Sequence, residues 1–235
     1  MSDGLYDDHP VFYDVLQSEW PYDRDLAFVA RILDRHGGDA ERLLELGCGT
    51  GEHACRFAAL DLDVVAVDPH AGMLDVARTK CDGDFNRDAL PALSVEGQFD
   101  AAVAIRGVVN HLAPGELVPS LSAVAERLGP GGVFVFDNSP LPPEGNHPAL
   151  AIGATEAGDY ARIAHHVPTE DGRLDWRALT CTPDGEFFVD RRPMTPFSDD
   201  AIAEALYDVG FEITWHDGYG PDDDRTVFEA VLPET

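Results

Sequence analysis

Lysine is almost missing from this 235-residue sequence. Fifteen of its 16 basic residues are Arg and only Lys80 is Lys, against 44 Asp and Glu, so the formal net charge is −28. The lack of clustered basic residues argues against nucleic acid and anionic membranes as partners, because both are bound through Lys and Arg. The surplus of carboxylates predicts a halophilic protein, since about 1 M salt shortens the Debye length to about 3 Å and screens self-repulsion. An ordinary acidic protein is the alternative.

Long apolar runs are absent as well. No stretch approaches the roughly 18 apolar residues of a membrane helix, and Met1–Gly4 does not resemble the start of a signal peptide. The cysteines form no C-x-x-C pair, and their spacing to His suggests no metal site. We therefore expect a cytoplasmic protein without a metal, with Cys48, Cys55, Cys81 and Cys181 as free thiols in a reducing compartment.

Apolar strands and helices alternate between residues 40 and 138. Strands that are apolar throughout and separated by helices favour a parallel sheet covered on both faces. The predicted strands are Arg42–Leu46, Asp63–Asp68, Phe99–Ile105 and Gly132–Asn138. The predicted helices between them are Glu52–Leu60, Ala71–Lys80 and Glu116–Leu128.

The alternation stops after Asn138, where four prolines stiffen the chain up to residue 148. Three stretches joined by turn residues then predict an antiparallel cap: Tyr160–Val167, Leu174–Cys181 and Glu186–Met194. A helix from Ser198 and two strands resume the α/β pattern. The chain thus divides into an N-terminal helical segment (1–40), a core (41–138), the cap (139–196) and a C-terminal part that completes the core sheet (197–235).

A glycine-rich turn joins the first core strand to its helix, in the sequence Glu45-Leu46-Gly47-Cys48-Gly49-Thr50-Gly51-Glu52. Glycines let backbone N–H groups approach a ligand closely. A dinucleotide-binding turn would need glycine in place of Glu52, whose carboxylate would also repel a pyrophosphate. The pattern G-x-G-x-G after an acidic residue resembles that of the class I S-adenosylmethionine-dependent methyltransferases. The resemblance implies that Glu45, Gly47, Cys48, Gly49 and Gly51 bind S-adenosylmethionine.

Further landmarks of that family follow in order. Asp68 ends the second strand, 17 residues after Gly51, where the family has a carboxylate that accepts hydrogen bonds from both ribose hydroxyls. The resemblance covers roughly residues 40–138. It implies a Rossmann-like, doubly wound, mostly parallel sheet of seven strands, with a small antiparallel cap inserted after strand five. It also assigns cofactor contacts to Pro69, Met73, Asp88 and Ala89, with Asp84 as an alternative to Asp88 at the adenine.

The layout outside the core is similar to that of small-molecule N-methyltransferases, in particular those that dimethylate nucleotide-linked aminosugars. Tyr13 and Tyr22 fit tyrosines near the start of such enzymes, where they would close over the methionine part of the cofactor, with core packing as the alternative. The resemblance implies transfer of a methyl group to a small molecule, most often at nitrogen, by in-line displacement. A macromolecular acceptor and a non-catalytic cofactor-binding protein are the alternatives.

Few side chains are candidates for proton transfer. We expect His111, after the fourth strand, Tyr6 and His165 to be the catalytic residues; for each, a structural role is the alternative. Arg106 is assigned to the ligand site, either at the cofactor or at an anionic group. His166 follows His165 on the same cap strand and faces the other side. The other six histidines show no partner spacing and are predicted at the surface: His9, His36, His53, His70, His147 and His216. The protein is expected to be a monomer or a homodimer, in which exposed cap-strand edges would pair.

Overall fold

The computed structural model describes residues 4–38, 40–156 and 158–234, so positions 1–3 and 39 of the predicted N-terminal segment lie outside it. The strands in this part of the chain are β1 (Arg42–Leu46), β2 (Asp63–Asp68), β3 (Asp84–Arg87), β4 (Phe99–Ala104), β5 (Leu128–Asn138), β6 (Ala149–Thr155), β7 (Gly158–Pro168), β8 (Leu174–Cys181), β9 (Phe187–Met194), β10 (Glu212–Asp217) and β11 (Thr226–Val231). The α-helices are α1 (Pro10–Leu16), α2 (Tyr22–Arg35), α3 (Glu52–Ala58), α4 (Ala71–Lys80), α5 (Leu117–Ala125) and α6 (Asp199–Val209). A π-helical turn, Gly4–Asp8, and two 3₁₀ turns, Val108–His111 and Pro114–Glu116, complete the elements.

Seven strands form the central sheet, in the order β10-β11-β5-β4-β1-β2-β3. The five from β1 to β5 run parallel, whereas β11 is antiparallel to both β5 and β10. The predicted mostly parallel, Rossmann-like sheet is therefore confirmed. Its central strands read as continuous apolar runs because helices cover both faces.

Two apolar layers hold this sheet between its helices. On one face, α5 and α6 pack through residues such as Leu121 and Leu206. On the other, α2, α3 and α4 pack through Ile32, Phe57 and Leu74. All five of these side chains are at most 1% exposed. None of the described helices has the length and apolar character needed to cross a membrane.

A second sheet, inserted after β5, forms the cap, with the strand order β6-β7-β8-β9 and antiparallel pairing throughout. Its strand β6, Ala149–Thr155, is absent from the sequence prediction. This segment is rich in small residues and lies largely exposed at the sheet edge, so it shows no alternation of buried and exposed positions. The cap is tied to the loop after β4, because Thr195 N donates to Asn110 O at 2.7 Å.

The N-terminal segment lies between the cap and the central sheet. Leu5 N donates to the buried carboxylate of Asp190 on β9, at 2.7 Å. On the other side, the backbone oxygen of Asp7 would lie 2.6 Å from a Cβ added at Gly72 on α4. Glycine at position 72 therefore allows the segment to lie directly on the helix that follows β2.

The prediction of four free thiols is wrong. Cys55 on α3 and Cys81, just after α4, form a disulfide, whereas Cys48 and Cys181 are free. Packing of α3 beside α4 brings the pair together across 26 residues of sequence, a spacing without a local signature. Cysteine usage therefore gives no support to a reducing compartment.

Candidate active site

A cavity of about 230 Å³ opens where β1, β2 and β4 end, beneath the N-terminal segment and the end of β9. In open α/β sheets, ligands bind at this edge because the loops after adjacent parallel strands diverge there. Nine of the predicted site residues line the cavity: Tyr6, Tyr13, Gly47, Gly49, Asp68, Pro69, Met73, Arg106 and His111. The other five lining residues are His70, Ile105, Val108, Arg192 and Pro193.

The glycine turn has a backbone conformation that is strained for residues other than glycine. Gly47, Gly49 and Gly51 have φ angles of +66°, +54° and +79°, in the left-handed region where a Cβ is costly. A Cβ at Gly47 would lie 2.8 Å from a methyl group of Val108, and one at Gly51 would lie 2.9 Å from Ala77. At Gly49 the nearest atom is 3.9 Å away. A ligand can therefore come close to the backbone at Gly49, whereas Gly47 and Gly51 serve the packing of the turn.

Asp68 is held in one orientation by two backbone groups. Its Oδ2 accepts a hydrogen bond from Gly49 N and its Oδ1 accepts one from His70 N, both at 2.9 Å. Desolvation raises the pKa of this carboxyl group above its usual value, although both hydrogen bonds act in the opposite direction. A carboxylate oxygen accepts more than one hydrogen bond, so Asp68 retains acceptor capacity toward the cavity.

Glu45, on β1, is buried at 2% exposure, and its Oε2 has no hydrogen-bond partner among the described residues. Burial, with the nearby charge of Asp68, raises the pKa of Glu45 to about 8. A buried, unpaired carboxyl oxygen is costly unless a donor or a positive charge compensates it. Glu45 is not part of the cavity lining, so its contact with S-adenosylmethionine remains a prediction.

The loop after β3 does not bring Asp88 and Ala89 to the cavity wall. The Asp88 carboxylate accepts hydrogen bonds from the backbone N–H groups of Ala89, Ser94 and Val95, so both its oxygens and the Ala89 N–H are engaged within the loop. Asp88 N donates to Asp68 O at 3.3 Å, which keeps this loop next to Asp68. Asp84 lies at the opposite end of β3, exposed and bonded to Asn86. The adenine contacts of Asp88 and Ala89 remain predictions.

Arg106 extends from the loop after β4 toward the N-terminal helices. Its backbone has φ +77°, and its N–H donates to Asp137 on β5 at 2.5 Å. Its guanidinium donates to the Tyr13 hydroxyl at 3.1 Å and to Gln17. Asp137, fully buried, also accepts from Gly107 N at 2.6 Å. Asp137 is not among the residues predicted from the sequence, although an acidic residue near the end of an apolar strand is a signal that could have identified it.

Three of the predicted cofactor residues support the turn from outside the cavity lining. Cys48 is buried and its N–H donates to Val67 O at 3.0 Å, which joins the turn to β2. Gly51 begins α3. Tyr22 packs edge-on against His53, with ring centroids 4.9 Å apart, so its ring is part of the core beside α3. Their contacts with a cofactor stay predictions.

Tyr6, His111 and Arg192 form one part of the cavity wall. The His111 imidazole is open to the cavity, and its ring centroid lies 6.5 Å from that of Tyr6. The Arg192 guanidinium lies 3.6 Å from the Tyr6 ring centroid. Desolvation in the cleft, aided by the charge of Arg192, lowers the pKa of His111 to about 4. Burial raises the pKa of Tyr6 to about 12. At neutral pH, His111 is therefore an uncharged acceptor and Tyr6 a protonated donor.

Two histidine assignments from the sequence are wrong. His53 is buried at 6% exposure and lies 3.2 Å from the Asp25 carboxylate, and His70 lines the cavity, so neither is a simple surface residue. His165 lies on β7, opposite Arg177 of β8, and is not part of the cavity lining. Its neighbour His166 faces the other side of the strand. A catalytic role of His165 remains an untested prediction, and this cavity does not support it.

Sequence comparison relates the core of the chain to known proteins. Residues 43–132 match a family model described as a methyltransferase domain. A protein of Geobacillus sp. (strain WCH70) named as a methyltransferase is 32% identical over 139 residues, which cover 56% of each chain. The dTDP-3-amino-3,6-dideoxy-alpha-D-glucopyranose N,N-dimethyltransferase of Streptomyces fradiae is 29% identical over 168 residues, 69% of this chain and 66% of the relative. The matches thus span little more than half of the first relative and about two thirds of the second.

Structural comparison extends the likeness to the cap. The crystal structure of Streptomyces venezuelae DesVI superposes with a TM-score of 0.83, over 96% of this chain and 98% of DesVI. Sequence identity in this superposition is 22%, so the match establishes a shared fold. The shared fold therefore includes the core, the N-terminal segment and the inserted sheet.

Proposed function

We propose that the chain is an S-adenosylmethionine-dependent methyltransferase, because residues 43–132 match a methyltransferase domain, and that it methylates a nitrogen atom of a small-molecule acceptor. The observation that carries the proposal is the closed geometry of the cavity. The end of β9 supplies Arg192 and Pro193 as a wall, and the N-terminal segment supplies Tyr6 and Tyr13. The loops after β1, β2 and β4 supply the third wall. Walls from three separate parts of the chain leave room for a compact acceptor and obstruct a folded protein.

We assign the cofactor to the side of the cavity formed by the glycine turn and Asp68. When bound, S-adenosylmethionine supplies a methyl group on a positively charged sulfur, which a nucleophile displaces in line. Asp68 would accept hydrogen bonds from the ribose hydroxyls, and the open backbone at Gly49 would lie against the amino-acid portion. Orienting the acceptor against this fixed position is the main contribution expected of the protein, about 7–11 kcal/mol for well-placed reactants.

The part of the cavity wall that contains His111 and Arg192 suits an uncharged amine. Positive charge on Arg106 and Arg192 disfavours the protonated form of a nearby amine and so lowers its pKa. His111, uncharged at neutral pH because its pKa is about 4, would accept a hydrogen bond from the amine N–H and direct the nitrogen lone pair toward the methyl group. A base this weak does not hold the released proton, so the proton passes to solvent.

An aminosugar linked to a nucleotide is the acceptor class we favour. The name of the Streptomyces fradiae relative gives such a sugar as its substrate, and the present cavity places Arg192 where an anionic group of the acceptor would be attracted. We propose this class as the first to be tested, with nitrogen as the methylated atom.

The test is transfer of an isotopically labelled methyl group to a matched panel in about 2 M KCl, a concentration that screens the surface charge. The panel contains a dTDP-linked aminosugar, the same sugar with a hydroxyl in place of the amine, a simple amine and a lysine-containing peptide. We expect label in the amino compounds alone. Label in the peptide would favour the macromolecular alternative, and cofactor binding without transfer would favour a binding protein; either outcome contradicts the proposal.

A pair of histidine variants tests the role of His111. His111→Leu, which removes the acceptor, should lower kcat about tenfold or more, the loss equivalent to one hydrogen bond of about 1.4 kcal/mol, while the Kd for S-adenosylmethionine changes little. His147→Leu, in the exposed linker before β6, is the control and should leave both values unchanged. Equal kcat values for the two variants would remove His111 from the mechanism.

A further inference from the structure

Asn110 lies directly before His111 in the 3₁₀ turn after β4 and is completely buried, at 0% exposure. Its amide group is both a donor and an acceptor, and both ends are engaged. Nδ2 donates to Asn138 Oδ1 at 2.9 Å and to Thr195 O at 3.0 Å, and Oδ1 accepts from Ser139 N at 2.9 Å. Asn110 does not line the cavity, so these bonds hold segments of the chain together.

The partners of Asn110 lie on the two segments that connect the cap with the central sheet. Asn138 ends β5 and Ser139 follows it, where the chain leaves for the cap. Thr195 follows β9, where the chain returns, and its N–H also donates to Asn110 O at 2.7 Å. A single residue therefore joins both connections of the cap to the turn that carries His111.

Arg173, just before the cap strand β8, holds the backbone on the other side of His111. Its Nη2 donates to His111 O at 3.2 Å and to Leu112 O at 3.5 Å, and its Nε donates to Thr195 Oγ1 at 3.1 Å. Thr195 Oγ1 in turn donates to Leu112 O at 2.6 Å. The backbone oxygens of residues 110, 111 and 112 are thus all bonded to the cap or to its return segment.

The cap also supplies part of the cavity wall around His111. Arg192 and Pro193 line the cavity and come shortly before Thr195 in the chain. One segment therefore carries both a cavity wall and a bond to the turn of His111. Charged and titratable groups from four different parts of the chain lie near the imidazole, so its position among them depends on how the cap is seated. These groups are Tyr6, His70, Arg173 and Arg192.

We propose that Asn110 and Arg173 are positioning residues for His111, which they hold at a fixed place relative to the cap wall of the cavity. The inference rests on the proposed role of His111 as the hydrogen-bond acceptor for the amine. Such an acceptor must be aligned with the nucleophile, and a displacement of about 1 Å is enough to lose much of the rate. Neither residue lines the cavity, so each acts through His111 and not on the reacting atoms.

The chemistry of both side chains matters for this role. Leucine at position 110 has about the size of asparagine, but it would leave Asn138 Oδ1, Thr195 O and Ser139 N without this partner. Buried groups that lose a hydrogen bond are costly, so the two connections would shift to find other partners, and the turn would shift with them. Lysine at position 173 keeps the charge but cannot reproduce the planar fork of the guanidinium, which reaches three oxygens.

Kinetics with the dTDP-linked aminosugar, in about 2 M KCl, test whether both residues act through His111. Asn110→Leu should lower kcat about tenfold, as His111→Leu does, and Arg173→Lys should lower it about threefold. In the His111→Leu background neither substitution should lower kcat further, because effects exerted through one shared residue are not additive. The Kd for S-adenosylmethionine should stay unchanged throughout. Losses that multiply in the double variants would overturn the proposal.

Ile32→Ala on α2 is the control for a mere loss of stability. Ile32 is 1% exposed and belongs to the apolar layer formed by α2, α3 and α4. This variant should lower the thermal midpoint and leave kcat unchanged. Arg173→Lys is a second, milder variant at a half-buried position, so the kinetic test does not depend on the folding of Asn110→Leu.

A readout without any acceptor separates this inference from the proposed function. Desolvation and neighbouring positive charge lower the pKa of His111 to about 4. NMR of ring-labelled histidine, assigned with His111→Leu, should show this pKa rising toward its ordinary value of 6.5 in Asn110→Leu, because the displaced turn admits water. Ile32→Ala should leave it unchanged. If no acceptor is methylated, the proposed function fails, whereas the rise in pKa still supports positioning of His111; an equal pKa in wild type and Asn110→Leu contradicts it.

Discussion

Replacement of Asp68 by Ala should weaken binding of S-adenosylmethionine if this carboxylate holds the ribose. In the structure Asp68 is 8% exposed and already accepts hydrogen bonds from Gly49 N and His70 N. Each hydrogen bond from a ligand hydroxyl to a charged acceptor contributes about 1.5–3 kcal/mol, of which part is lost to desolvation. We expect a net loss of about 1–3 kcal/mol, which raises the Kd about 5- to 150-fold.

Calorimetric titration in about 2 M KCl measures this change, with S-adenosylmethionine and its demethylated product as ligands. Asp75→Ala on α4 is the control, because the Asp75 side chain is 77% exposed and lies on the helix that follows Asp68. This variant should bind both ligands as the wild type does. A far-ultraviolet spectrum and a thermal midpoint for each variant show whether the chain has folded.

Loss of the Asp68 carboxylate also frees Gly49 N, so weaker binding alone does not identify the ribose contact. A double-mutant cycle separates the two effects. A ligand analogue without the ribose hydroxyls should bind the wild type more weakly than the natural ligand, whereas Asp68→Ala should no longer distinguish the two ligands. Equal discrimination by both proteins would refute the assignment of Asp68 to the ribose, whatever the change in Kd.

Three further outcomes are expected from stability measurements. Gly51 has φ +79° and a Cβ added there would lie 2.9 Å from Ala77, whereas Gly172 has φ +78° and open space around it. Gly51→Ala should therefore lower the free energy of unfolding by roughly 1–3 kcal/mol more than Gly172→Ala does. Equal losses in the two variants would show that the contact with Ala77 is unimportant. Thermal midpoints should rise from dilute buffer to about 2 M KCl as the net charge of −28 is screened, and equal midpoints would discredit the halophilic interpretation. Because burial raises the pKa of Glu45 from 4.5 to about 8, the folded chain binds a proton between these pH values that the unfolded chain has released, so stability should fall as pH rises through them. Denaturant unfolding at both ends of that pH range measures this change. The free energy of unfolding should fall less for Glu45→Gln than for the wild type, and an identical fall in both proteins would contradict the pKa assignment.

Local patterns were sufficient to predict the central sheet and one side of the cavity. Continuous apolar strands separated by helices require cover on both faces, so β1, β2, β4 and β5 followed from the sequence. Gly47, Gly49 and Asp68 were identifiable because the loops after neighbouring parallel strands lie at the same edge of such a sheet, where ligands bind. Every one of these signals lies within a few residues of the position that it predicts.

Long-range packing decided the features that the sequence analysis missed. The pairing of Cys55 with Cys81 depends on how α3 packs beside α4. Arg192 reaches the cavity because the cap folds back over the end of β4, more than 80 residues earlier in the chain. Asp137 positions Arg106 across 31 residues in the same way.

The cap strands show the division most clearly. Successive side chains of β7 and β8 point to opposite sides of the strand, so the sequence indicates which residues share a face. It did not determine that Asp190 and Arg192 would be turned inward and Ile163 and Leu179 outward. The sequence alone determines which residues share a face of a strand. Whether that face is turned toward the rest of the chain or away from it depends on what packs against it. In this protein, the N-terminal segment occupies the polar face of the cap and leaves the apolar one exposed in the single chain.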